Sequence, residues 1–205
     1  MRIKLGKCLM ALGIALMIAS AGLFLYNHRE DAAAEESASQ VLTQLIRQLP
    51  QKAVEEDWTD QLIPMEFLPE SAFEMTEVVV DGYGYIGCLS LPSLELELPI
   101  LSQWDYGRLQ IAPCRYSGSL KKGNLVLMAH NYASHFGRIS DLALGDMVIF
   151  TDMDGTATRY QVVGRDVLAP TAVEEMTAGD FDLTLFTCTY GGQSRVTVYC
   201  DRLMQ

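Results

Sequence analysis

Positive charge is scarce in this chain: 15 Lys and Arg stand against 26 Asp and Glu, for a formal net charge of -11. No basic stripe breaks that balance, which argues against a nucleic-acid surface, and no nucleic-acid partner is expected. A CxxC pair is also missing although five cysteines are present, which removes the usual metal and dithiol redox motifs. Asp152-Met153-Asp154-Gly155 has the look of a calcium loop but lacks the donor spacing and closing glutamate of one. Neither a metal nor a cofactor is therefore expected.

Uncharged sequence is concentrated in one run, Cys8 to Asn27, behind Arg2, Lys4 and Lys7. A helix of that length approaches the roughly 30 Å thickness of a bilayer's hydrocarbon core. Tyr26 lies where an interfacial aromatic belongs, and the preceding basic residues favour an N-terminus on the cytoplasmic side. The alternative is a cleaved signal peptide, with Ala19-Ser20-Ala21 as the small-residue site. Either reading exports the rest of the chain. At 205 residues and 49% hydrophobic, that rest supports one core. The expected organisation is a cytoplasmic stub and anchor over residues 1–28, a helical spacer and tether over 29–80, and one catalytic domain over 81–205.

Within the spacer, Glu30 to Glu56 is predicted helical, with Val41, Leu42, Leu45, Ile46 and Leu49 forming a stripe at three- and four-residue spacing. Pro50 is expected to stop or kink it, and Pro64 and Pro69 mark the tether beyond. Such a helix either packs on the outside of the domain or merely spaces it from the membrane.

Alternating apolar runs dominate the remainder. Strands are predicted at Tyr85 to Leu89, Leu94 to Leu98 (ended by Pro99), Leu109 to Ala112, Asn124 to His130, Met147 to Thr151, Ala157 to Leu168, 182–188 and 195–200. The LELEL run buries its leucines and exposes Glu95 and Glu97, so those carboxylates are wall rather than a catalytic pair. Trp104, Tyr106 and Tyr116 belong to a long irregular connection and are read as core-facing aromatics or a groove wall. One or two helical turns are expected over 136–145, and a short crossover over 170–180.

Three of these strands carry chemistry at their ends. His130 closes one, Cys188 closes TLFTC, and Arg195 opens RVTVYC after the polar turn 189–194. Alternation puts Thr184, Phe186 and Cys188 on one face of their strand. Arg195 lies opposite Val196, Val198 and Cys200 on the next, so a hairpin brings cysteine and arginine into register. An imidazolium or guanidinium beside a thiol favours the thiolate that attacks a carbonyl. Arginine, always charged and rich in directed donors, suits an oxyanion, and histidine suits the proton transfers. Cys88, Cys114 and Cys200 are read as buried inert thiols, with a structural disulfide among them as the alternative.

Taken together, LVLMAHN (125–131), HFGRISDL (135–142), GDMVIF (145–150), TLFTC (184–188) and RVTVYC (195–200), behind an N-terminal anchor, resemble the sortase family of membrane-anchored cysteine transpeptidases. The His130-Asn131 pair and the HFGRISDL segment look closest to the class B type. The resemblance implies an all-β fold, a closed eight-stranded barrel with short helices behind a transmembrane helix, with Cys188 as nucleophile, His130 as general acid and base, and Arg195 as oxyanion or substrate clamp. It implies cleavage of a C-terminal sorting signal of secreted proteins, commonly between Thr and Gly, and transfer of the acyl group to a peptidoglycan-precursor or pilin amine. Two departures stand out: Ala129 replaces a common glycine, and the 170–180 connection is shorter than the helix-bearing insertion usual in class B. Hydrolysis of the thioester by an exported cysteine endopeptidase, or a non-catalytic cell-surface binding module, are the competing readings.

Overall fold

A computed structural model describes residues 2–50, 73–178 and 180–203. Contacts divide the chain into Met1–Ala33 and Ala34–Gln205. The first unit is helical throughout its described residues, and its apolar side chains from Leu9 to Tyr26 are exposed. That stretch is long and apolar enough to cross a membrane.

The helix α1 runs from Arg2 to Gln48. Its far half belongs to the second unit, where Ala34, Ala38, Val41 and Leu45 are buried at helical spacing while Ile46 is 52% exposed. Val41, Leu45 and Leu49 pack with Tyr85, Leu101, Leu109, Cys114 and Met153, so this half covers the outside of the sheet. The helix predicted to Glu56 stops at Gln48, ahead of Pro50; most of the expected tether lies outside the described residues.

The sheet contains β1 (Val78–Val80), β2 (Tyr83–Leu91), β3 (Leu96–Leu101), β4 (Cys114–Ser117), β5 (Leu125–Ala129), β6 (Met147–Asp152), β7 (Ala157–Leu168), β8 (Leu183–Cys188) and β9 (Arg195–Arg202). Their order is β1-β2-β3-β4-β5-β8-β9-β7-β6, and β6 returns to β2. Eight strands thus close into a barrel, with the three-residue β1 added outside the closure. Pairing is antiparallel except at β3–β4 and β5–β8. Leu125, Leu127, Leu183, Leu185, Val198 and Cys200 fill the interior with residues such as Ile86, Phe150 and Tyr160. Closure is tight at Gly87, where an added Cβ would sit 2.3 Å from the Thr151 carbonyl oxygen.

Two strand predictions need correction. Residues 109–112 are not a strand: Asp105 caps a single turn, α2 (Tyr106–Leu109), by accepting the Arg108 N–H at 2.8 Å, and the strand begins at Cys114. Leu94 ends a 3-10 turn and Glu95 takes a left-handed φ of 55°, so β3 starts at Leu96. It then runs through Pro99, opposite Cys88, to Leu101. The 136–145 stretch supplies one 3-10 turn, Ile139–Asp141, and the crossover one short helix, α3 (Val173–Thr177).

Candidate active site

The β8 and β9 registers pair Cys188 directly with Arg195. On the other side of β8, the parallel β5 pairs Ala129 with Thr187, which sets His130 laterally beside Cys188. Leu125, Leu127, Leu183, Leu185, Val196 and Val198 belong to the interior cluster, so the alternate positions look outward. His130, Cys188 and Arg195 therefore occupy one row across three adjacent strands, on the outer face at one end of the barrel, with neighbouring strands about 5 Å apart. All three are half-buried.

Each member is held locally. The Thr187 hydroxyl donates to the Ala129 carbonyl at 2.8 Å, a buried bond that locks the ends of β5 and β8 together one residue before His130 and Cys188. Beyond His130 the chain folds back: the Phe136 N–H donates to the His130 carbonyl at 3.2 Å and the Gly137 N–H to that of Tyr132 at 2.8 Å. A Cβ on Gly137 would lie 2.5 Å from the Asn131 carbonyl oxygen, so this return requires glycine. The His130 ring lies 4.9 Å from that of Tyr132, centroid to centroid. In the β8–β9 turn, Gly191 and Gly192 take φ of 81° and 71°. Thr189 and Ser194 close the turn through their backbone groups and the Thr189 hydroxyl. The Arg195 Nη1 donates to the carbonyls of Gly192 and Ser194, each at 3.2 Å, which ties the guanidinium to the turn.

Cys188 opens onto a cavity of about 220 Å³ lined by Asn131, Phe136, Ser140, Thr187, Tyr190 and Val196 among others. On the outer face, a strip of Tyr116, Val126, Met128, Leu168, Met176 and Phe186 leads toward the row; Phe186 stands two residues before Cys188 on the same face. The short crossover supplies Met176 to that strip and the end of β7 supplies Leu168, a role the crossover's sequence did not disclose.

The other thiols of the barrel suit no nucleophile. Burial pushes Cys88 up to about 11 and Cys114 and Cys200 up to about 12. All four cysteines of the barrel are free thiols. Cys200 faces the core, as alternation predicts. Thr187, Gly137 and the outer strip were missed by sequence reasoning. The hydroxyl of a β8 threonine inside TLFTC was the one available signal.

A family model, the sortase domain, matches residues 89–203. The chain belongs to the sortase family. It is 30% identical over 121 residues to sortase A of Bacillus anthracis, covering 56% of this chain and 57% of that one, less than two thirds of the relative's length. A structure of Clostridium perfringens sortase C with the C-terminal cell wall sorting motif is similar at 27% identity, with a TM-score of 0.52 and coverage of 59% of this chain and 71% of that one. Sortase C1 of Streptococcus suis is similar at 26% identity and a TM-score of 0.54, over 59% of this chain and 74% of that one. These relatives carry A and C designations, so membership of the sortases is shown and the class B likeness is not.

Proposed function

We propose that this sortase is a cysteine transpeptidase with Cys188 as nucleophile, His130 as general acid and base, and Arg195 as oxyanion clamp. The observation that carries the reading is the register of β5, β8 and β9, which lines up the three residues on one face. The Cys188 thiolate attacks the scissile carbonyl, and the Arg195 donors not engaged with the turn take up the charge on its oxygen. His130 protonates the leaving amine as the C–N bond breaks, leaving a thioester. The incoming amine then loses a proton to His130 and displaces the sulfur.

The substrate class is a secreted protein bearing a C-terminal sorting signal, and the acceptor is an amine of a peptidoglycan precursor or a pilin subunit. The Clostridium perfringens relative holding a sorting motif supports the donor side of this reading. Arg2, Lys4 and Lys7 ahead of the apolar helix support a single-pass anchor with a cytoplasmic N-terminus and an extracellular barrel.

The test supplies a cleavable peptide with and without triglycine. Transfer predicts a product whose mass includes triglycine, whereas a product that never includes the amine is the hydrolytic reading. Cys188→Ala and His130→Ala abolish turnover. Arg195→Ala lowers it by about 10²- to 10³-fold, the scale of losing an oxyanion donor.

A further inference from the structure

An aromatic row leaves the active-site strip sideways across β5 and β4. The Phe186 ring meets Tyr116 edge-on at 5.2 Å, Tyr116 stacks on Trp104 at 5.6 Å, and Trp104 meets Tyr106 edge-on at 6.3 Å. Exposure rises along the row, from 4% at Phe186 to 40% at Trp104 and 78% at Tyr106. The outer members of the row face solvent beside a second concavity.

That concavity, about 300 Å³, is lined by Ser102, Gln103, Trp104, Arg115, Tyr116, Ser117 and Gly118. Among the described residues Arg115 is its one charged lining residue, and it stands out on a chain of net charge -11. Its Nε donates to the Ser102 carbonyl at 2.9 Å, which fixes the guanidinium at the pocket; among the described residues its terminal nitrogens take no further partner and point to an acceptor from outside. Asp105, the nearby carboxylate, is not part of the lining; it is engaged with the Arg108 side chain and with the Arg108 N–H.

We propose that this row and pocket form a remote subsite for the donor polypeptide on the N-terminal side of the cleaved bond, holding an extended segment that carries proline and a carboxylate. The inference rests on the transpeptidase reading, because the row begins at Phe186, two residues before Cys188 on the same face of β8, and so offers a path to an acyl chain led along that face from Cys188. Each ring-to-ring step of the row is less than about two residues of extended peptide. Proline-bearing chains in the polyproline conformation dock on aromatic-lined grooves at low entropic cost, and the guanidinium pairs with the carboxylate. The site thus selects for what precedes the sorting motif.

The test uses the full-length protein in detergent with Trp58→Phe, which leaves Trp104 as the only tryptophan, and Cys188→Ala, which prevents turnover. The probe is Ac-Pro-Pro-Asp-Pro-Asp-amide, read by Trp104 emission. A labelled copy of the probe, read by anisotropy, is used for variants at position 104. Controls are the peptide with Lys in place of Asp and an N-acetylglucosamine tetrasaccharide. Saturable binding of the acidic peptide, weakened at least tenfold by Arg115→Gln and by Trp104→Ala and at least tenfold for the Lys peptide, is the expected result. Trp104→Ala, on an exposed ring, keeps the test decisive if Arg115→Gln loosens the loop at Ser102. Equal binding of both peptides, binding of the sugar alone, or no peptide binding overturns the proposal. Because binding is read without Cys188, its failure is distinct from a failure of wild-type protein to form a thioester.

Discussion

At the scale of single residues, the arrangement depends on a bond whose partners lie far apart in sequence. Thr187 spans β8 to β5 through the Ala129 carbonyl, 58 positions away in sequence. Thr187→Val removes that buried bond while the ladder bond to the same carbonyl remains, and costs about 0.5–1.5 kcal/mol in urea unfolding. It also frees His130 from its place beside Cys188, so turnover falls by more than the folded fraction accounts for. A variant of unchanged stability and turnover would remove Thr187 from the account. The common face of Cys188, Arg195 and His130 was readable because alternation of apolar residues fixes which face a strand's last side chain takes. Thr187 and Gly137 were not, because their importance resides in contacts with other segments.

At the scale of elements, the strands with clean alternation were legible almost to the residue: β7 was predicted at the bounds it has, and β8 and β9 within two residues. Failure came where local rules were overridden. Pro99 lies inside β3 rather than ending it, and β4 is four residues long with a register shift between Arg115 and Ser117 that spoils its period. The outer half of α1 was legible as an amphipathic stripe, while the choice between packing and spacing was settled by Leu45, which is fully buried. Leu45→Ala leaves a cavity in the buried cluster that holds Tyr85 and Leu101 and lowers stability by about 2–5 kcal/mol, measured by urea unfolding of the full chain. Gly87→Ala drives a methyl into the Thr151 carbonyl and the Phe150 ring at the β2–β6 closure. It destabilises the barrel by about 1–3 kcal/mol, and native-state hydrogen exchange should show the loss first along β2 and β6.

At the scale of the whole molecule, closure of the barrel between β2 and β6 joins segments some sixty residues apart, as in Gly87 with Asp152, and no local pattern announces it. Burial in this closed core sets a stability profile with pH. Cys88 is raised to about 11, and Cys114, Cys200, Tyr85 and Tyr160 to about 12, each chiefly by desolvation. The unfolded chain ionises these groups at lower pH than the folded one. Their contribution is therefore complete below about pH 9 and is lost progressively as pH rises toward the folded values. The urea midpoint of the protein should fall between pH 8 and pH 10.5; an unchanged midpoint would contradict the burial of these groups.

The central claim is that the row of His130, Cys188 and Arg195 forms and resolves an acyl-enzyme at Cys188. The measurement that tests it most directly is intact mass spectrometry of the acid-quenched full-length protein after mixing with a randomised peptide library built around a fixed Thr-Gly bond. The account predicts an adduct on Cys188 equal in mass to a fragment ending in threonine, absent from Cys188→Ala and His130→Ala and discharged by triglycine. An adduct on another residue, or one that persists in Cys188→Ala, would contradict it.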